Sequence, residues 1–222
     1  HVSAKANHYD YASDRYDAIY EKHQEIDDQI IADILEKNKV KSVLDLSCGT
    51  GQQVVYLSKK GFKVSGVDIN QKMLSVAKKK IKSLKLKCTL SLGDMRTTKS
   101  DKCDAVITIF NAIGHLTKAD FIKTLKNISK NLKSGGIYVF DIFNLNYMKD
   151  DTNITSLTID QMVYEKTRIL RKIQYSTVDN KGVLASHTTS IIQQGKEGKL
   201  VESRRSQTLQ IYSASELKEI LD

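Results

Sequence analysis

Four short runs hold residues whose types and spacing suit binding and chemistry. The first is Asp45-Leu-Ser47-Cys-Gly49-Thr-Gly51. Its glycines let the backbone turn sharply and approach a ligand, because no Cβ intervenes. A helix starting just after them points its unpaired N–H groups at that ligand, which suits a carboxylate. A purely structural tight turn would use the same two glycines. The second run, Val-Ser-Gly-Val-Asp68-Ile69, ends on an acid able to accept hydrogen bonds from both hydroxyls of a ribose. In the third, Gly93-Asp94-Met95, the carboxylate can meet an adenine amino group and the thioether can pack on the ring. The fourth is Ile109-Phe110-Asn111-Ala-Ile-Gly-His115. Histidine exchanges protons near neutral pH, so His115 suits proton removal or substrate contact, and Asn111 shares its loop. A histidine bonded to backbone at a helix entrance is the structural alternative.

These runs sit at the ends of periodic elements. Ser42–Leu46, Lys63–Val67, Thr89–Leu92, Ala105–Phe110 and Ile137–Phe140 read as short apolar strands, and Gly135-Gly136 separates the last from the helix before it. Helical patterns at Val54–Lys60, Gln71–Ser83 and Lys118–Leu132 alternate with them, and Asn70 is placed to cap the second. Such alternation predicts an α/β fold, Rossmann-like and doubly wound, with a mostly parallel sheet whose ligands bind at the carboxyl ends of the strands. Another amphipathic helix, Ile26–Glu36, comes first, after a tyrosine-rich arm from Tyr9 to Tyr20. Val163–Val178, Val183–Gln193 and Leu200–Tyr212 read as an antiparallel β insert, with turns at 179–182 and 195–198. The expected organisation is an arm over residues 1–24, a nucleotide-binding domain over 25–150 and 213–222, and a lid or substrate insert over 151–212. The pattern at 215–222 reads as a helix just begun, with a C-terminal strand pair expected beyond it.

Composition narrows the function classes. The chain has 222 residues, enough for one core with a small appendage, and no run long and apolar enough to suggest a membrane span. Cys48, Cys88 and Cys103 match no zinc spacing and read as reduced thiols of a cytoplasmic protein, with no metal expected. The net charge of +9 invites a nucleic-acid reading. Against it, the excess is mostly lysine, arginine is scarce, and the runs at 78–80 and 82–87 fall on the polar side of a helix and the loop after it. His8, His23 and His187 read as surface residues, and Arg96 as a brace for the third-strand loop. The chain contains no proline, for which there is no physical account.

Dinucleotides compete for the first glycine run. Their fingerprint needs a third glycine beside the pyrophosphate, and Val54 stands in that position. S-adenosylmethionine (SAM) has no pyrophosphate, so the missing glycine favours it. Asp-Leu-Ser-Cys-Gly-Thr-Gly resembles motif I of class I SAM-dependent methyltransferases. Asp68 matches their ribose-binding acid and Gly93-Asp94 their adenine-side motif, over about residues 7–148. The resemblance implies that Gly49 and Gly51 lie against the cofactor and that Asp45 lies near its amino-acid end. Ser47, Ile69 and Phe110 join the implied cofactor contacts, as do Tyr16 and Asn111. Gly93-Asp-Met-Arg96 with Ile109-Phe-Asn-Ala-Ile-Gly-His115-Leu is similar to small-molecule N-methyltransferases, above all amino-sugar N,N-dimethyltransferases and then the glycine/sarcosine type. In those families a Tyr-Asp-rich arm folds over the active site, which gives Tyr9 and Tyr16 a place at the sulfonium or substrate, plain lid packing being the alternative. One departure is Ser134-Gly-Gly136, where the family has Pro-Gly-Gly; it touches a turn rather than the chemistry.

The expected activity is methyl transfer from SAM to a small-molecule amine, with S-adenosylhomocysteine (SAH) as product, His115 and Tyr9 as catalytic candidates, and a homodimer left open. The alternatives are an RNA or protein methyltransferase, and a SAM-binding protein without catalysis.

Overall fold

In the computed structural model, the apolar runs read from the sequence pair as a parallel sheet. The structure describes residues 1–11, 13, 16–17, 24–148, 156–164, 168–194 and 198–222. Tyr20, His23 and most of the 195–198 turn lie outside these. The described residues divide into two compact units, one of residues 3–113 and 118–141, the other of residues 1–2, 114–117 and 142–222.

The first unit runs α1 (Gln24–Lys37), β1 (Ser42–Asp45), α2 (Gln52–Lys59), β2 (Lys63–Asp68), α3 (Gln71–Ser83), β3 (Thr89–Leu92), β4 (Cys103–Thr108), α4 (Lys118–Asn131) and β5 (Leu132–Phe140). Its strands lie in the order β3-β2-β1-β4-β5, all parallel. Strand order therefore reverses between β1 and β4, the position outside whose carboxyl ends sheets of this kind bind ligands. Side chains alternate across the sheet as the pleat demands. Val43, Ala105 and Ile107 join Leu35 of α1, Val54 and Leu57 of α2, and Leu74 and Ile81 of α3 in one core. Leu44, Val67 and Val106 join Ile128 of α4 in a second.

Two of the boundaries that differ from the sequence reading have a physical cause in the backbone. β4 stops at Thr108 rather than running to Phe110, because Phe110 (φ 62°) and Asn111 (φ 54°) are left-handed and cannot continue a ladder. β5 begins at Leu132, which already pairs with Cys103. Gly135, at φ 75°, falls within the register shift between that pair and Ala105–Ile137, so the two glycines interrupt a strand and do not precede one.

Two buried asparagines one turn apart on α4 tie down the loop after β3. Asn127 Nδ2 donates to the carbonyls of Met95 (2.9 Å) and Thr98 (2.8 Å). Asn131 Nδ2 donates to Thr98 and Asn127 carbonyls (both 3.0 Å), and its Oδ1 accepts from the Ser100 N–H (2.7 Å). Charge is unevenly spread over this unit. Residues 59–87 hold ten lysines against one aspartate, an excess equal to that of the whole chain. Nine of these lysines are exposed, and all of the nine but Lys72 lie at the end of α2, the start of β2, the later turns of α3 and the approach to β3. That is the edge of the sheet where strands begin.

In the second unit, β6 (Ser156–Tyr164), β7 (Arg168–Val178), β8 (Val183–Gln194) and β9 (Leu200–Gln210) form an antiparallel sheet in sequence order. The sequence reading had three strands here. It missed most of β6 and merged its end with β7. Leu184, Leu209 and Ile211 form a small core with Val178 and with Leu145 and Met148 of the short helix α5 (Leu145–Met148). The 179–182 turn is built by Asp179, whose Oδ1 accepts from the N–H groups of Lys181 and Val183 (both 2.8 Å). Ser213 and Glu216 cap α6 (Ala214–Leu221) reciprocally. Among the described residues no helix is long and apolar enough to cross a membrane.

Replacing Asn131 with leucine leaves the Ser100 N–H without its acceptor inside the protein. It should lower stability by about 2–3 kcal/mol. Urea denaturation should show a lower midpoint with an unchanged slope.

Candidate functional site

Three strand ends of the first unit, at β1, β2 and β3, each deliver an aspartate or the loop that carries one. After β1 the chain turns through Gly49 (φ 51°) and Gly51 (φ 80°), both in the left-handed region. A Cβ on Gly51 would also lie 3.0 Å from Ala77 Cβ, so glycine lets α2 and α3 approach there. Gly51 is the N-cap of α2, with no side chain capping it. The helix therefore opens on backbone N–H groups at its positive end.

Asp68 joins two loops. Its Oδ2 accepts from the Gly49 N–H (2.7 Å) and its Oδ1 from the Asn70 N–H (2.7 Å). Burial raises the Asp68 carboxyl above the ordinary range, and these N–H groups pull it down. Asn70 is itself buried, and its Oδ1 caps α3 by accepting from the Met73 N–H (2.9 Å). Ile69, between them, is 37% exposed.

Asp45 is buried under this loop, its Oδ1 accepting from the Ser47 N–H (3.0 Å). Burial pushes its carboxyl up to about 7; the Ser47 N–H opposes this, while Asp68 and Asp28 add to it. Ser47 Oγ is buried without a hydrogen-bond partner among the described residues. Asp28, on α1, was missed by the sequence reading. It is buried and accepts from Gln53 Nε2 (3.2 Å). The signal was present, since Asp28 falls in register with the buried Ala32 and Leu35 on one helix face.

After β3, Gly93 is required by packing: a Cβ there would meet Thr98 Oγ1 at 2.3 Å. Asp94 is gripped by Arg96, whose Nε lies 3.0 Å from both carboxylate oxygens and whose Nη2 lies 2.5 Å from Oδ2. Arg96 Nη1 reaches Asp120 of α4 (2.7 Å). Burial raises the Asp94 carboxyl, yet the bonds and charge of Arg96 outweigh it and hold the group below its usual range. Met95 is partly buried and packs against the second core cluster.

After β4, the left-handed pair Phe110–Asn111 is a costly backbone state, of a kind that concentrates at functional loops. The Asn111 N–H donates to Asp141 Oδ1 at the end of β5 (2.8 Å). His115 closes a single 3₁₀ turn, Ala112–His115, and groups with the second unit. In the arm, Tyr9 and Tyr16 meet edge to face with centroids 5.6 Å apart, and His8 packs on Tyr9. His187 stacks on Tyr175 in the second unit and bonds Ser206. Among the described residues no group of His, Cys, Asp and Glu is arranged to hold a metal.

An uncapped helix N-terminus, an orphaned buried hydroxyl and acids at successive strand ends fit a ligand with a carboxylate, cationic centres and a ribose. SAM is such a molecule, and comparison with known proteins points the same way. Residues 43–136 match the family described as a methyltransferase domain. A putative methyltransferase of Bacillus subtilis (YqeM) is 39% identical over 116 residues, 51% of this chain and 45% of that protein. A dTDP-3-amino-3,4,6-trideoxy-α-D-glucopyranose N,N-dimethyltransferase of Streptomyces venezuelae is 29% identical over 115 residues, 50% of this chain and 47% of that protein. The chain thus spans about half the length of these curated relatives. The fold is shared with SAM-bound CalS10, an amino pentose methyltransferase from Micromonospora echinaspora (TM-score 0.79, 22% identity, 92% of this chain and 85% of that one). The stretch from β1 into β5 is thus similar to methyltransferase domains in sequence, and the fold around it is one that a SAM-bound methyltransferase shares.

Proposed function

We propose that the protein transfers the methyl group of SAM to a small-molecule acceptor, at an amine nitrogen. The observation that carries this reading is the Asp68 carboxylate bridging the Gly49 and Asn70 N–H groups beside an uncapped helix N-terminus, in a stretch that matches a methyltransferase domain. The amine is supported by the relatives, one named for dimethylating an amino sugar nucleotide and a fold neighbour for methylating an amino pentose. The free thiols of Cys48, Cys88 and Cys103 accord with a cytoplasmic setting.

SAM supplies an electrophilic methyl group on a sulfonium. The chain's own work is to bind, orient and manage one proton. The α2 N-terminus receives the carboxylate and Ser47 Oγ finds a partner at the same end. Asp45 faces the cationic groups, and its burial makes an ion pair there strong. Asp68 takes the ribose hydroxyls, while Gly93, Asp94 and Met95 form the adenine side, with Asp94 held rigid by Arg96. Ile69 and Phe110 line the nucleoside. Orientation of this kind is worth up to roughly 7–11 kcal/mol of a barrier in favourable cases. The acceptor amine must be neutral to attack, and His115, four residues past Asn111, is assigned its proton. Tyr9 and Tyr16 exclude water.

Titration calorimetry should find micromolar binding of SAM and SAH, abolished by Gly49→Val with Asp68→Ala. A folded wild-type protein binding neither compound would rule the function out. With an accepted amine, His115→Gln should lower kcat about 100-fold, the lower end of general-base effects, and leave SAH affinity unchanged. A third outcome concerns pH. Asp45 in the folded, ligand-free protein keeps its proton to about 7, whereas unfolded it loses it near 4. Folded protein therefore holds more protons in that window, and Asp45 makes stability fall as pH rises through it. Cationic SAM favours the carboxylate, so affinity should rise with pH and level off above about 7, with proton release on binding at pH 6. Asp45→Asn should abolish both the slope and the release, seen by calorimetry in buffers of different ionisation enthalpy.

A further inference from the structure

The arm repeats a Tyr-Asp pair seven residues apart, Tyr9-Asp10 and Tyr16-Asp17, ahead of the stretch that matches the methyltransferase family. The tyrosines touch each other, and each aspartate reaches a different cofactor loop. Asp10 Oδ1 accepts from Asn70 Nδ2 (3.0 Å), and its Oδ2 lies 3.1 Å from Lys72 Nζ. Asn70 is the residue whose backbone N–H holds Asp68 and whose Oδ1 caps α3. Its side chain is thus shared between the arm and the helix, and its main chain serves the ribose acid. Asp17 Oδ1 accepts from Thr50 Oγ1 (2.5 Å), and its Oδ2 lies 2.6 Å from Lys80 Nζ. Thr50 is the 2%-exposed residue between Gly49 and Gly51.

We propose that Asp10 and Asp17 are positioning residues for the cofactor, each bracing one of the two loops that Asp68 joins; this rests on the SAM reading above. Both glycines flanking Thr50 are left-handed, so the loop has little intrinsic preference for the shape it holds, and a charge-assisted bond to its central side chain restricts it. The Asn70 amide is oriented by two partners at once. Without Asp10 it keeps its cap but loses the contact that fixes its plane. Lys72 is 60% exposed and Lys80 21%, so solvent screens the Asp10 pair more than the Asp17 pair. The two aspartates act at different ends of the ligand. Asp10 acts through Asn70 and Asp68 at the ribose, and Asp17 through Thr50 at the turn beside the helix N-terminus that takes the amino-acid carboxylate.

The experiment compares wild type, Asp10→Ala, Asp10→Asn, Asp17→Ala and Asp17→Asn by calorimetric titration with SAH and with adenosine, which lacks the amino-acid end. The thermal midpoint of each ligand-free protein is recorded alongside. Each alanine variant should weaken SAH about tenfold, the loss of one charge-assisted hydrogen bond. The asparagine variants keep an acceptor oxygen and should recover part of that, falling within about threefold of wild type. Asp10→Ala should weaken adenosine by the same factor as SAH, whereas Asp17→Ala should leave adenosine within about twofold. SAH binding unmoved by both alanine substitutions overturns the proposal. So does an equal loss of SAH and adenosine in both variants with a lowered thermal midpoint, which is general loosening. If wild-type protein fails to bind SAH, the methyltransferase reading falls and takes this inference with it; tight wild-type binding unmoved by either alanine substitution removes this inference alone.

Discussion

A carboxylate that accepts backbone N–H groups from two separate loops fixes the distance between those loops, and Asp68 does this for the turns after β1 and β2. The arrangement requires β1 and β2 to be neighbours in register, with Asp45 beside Gly66, so that the turn after one strand passes the end of the next. It also requires the Gly49 amide to point sideways, which the left-handed turn allows. Most of the site hangs from this link. The α2 N-terminus begins two residues after Gly49, the α3 cap lies two residues after Asp68, and the buried Asp45 carboxyl senses the Asp68 charge.

The loop after β3 is held by different means. The Gly93 N–H donates to the Asp68 carbonyl (3.0 Å), but beyond it Arg96 clamps Asp94 and carries the restraint on to Asp120 of α4, while Asn127 and Asn131 grip the same loop through its carbonyls. The loops after β1 and β2 are thus set by strand register, and the loop after β3 largely by a helix packed on the opposite face of the sheet. A change on α4, remote in sequence from the first glycine run, can therefore alter the loop that carries Asp94.

The parallel sheet was legible because β-rich apolar runs alternating with helical patterns leave few other arrangements, and the strand-end loops were legible because glycine and aspartate act locally. What escaped depended on tertiary partners. Asn127 and Asn131 look like ordinary polar residues of an amphipathic helix until the loop they hold is seen against them. Phe110 is a poor candidate for a left-handed residue on intrinsic grounds, so nothing local ends β4 at Thr108. Asp28 carried a signal, an acid on an apolar stripe, that is easily read as a stripe ending early. β6 and β7 merged because β-rich character continues across the break between them, and no turn residue as marked as the Asp179–Gly182 set divides them.

The exposed lysines at the strand-start edge concentrate most of the positive excess on one side of the domain. A small cation diffusing nearby is turned away from that side, because fields of this kind bias encounter before any contact forms. Methyl donor and demethylated product differ by one positive charge. Under the proposed methyl transfer, the field acts on the molecule arriving and much less on the one departing, an asymmetry that fades as ionic strength rises.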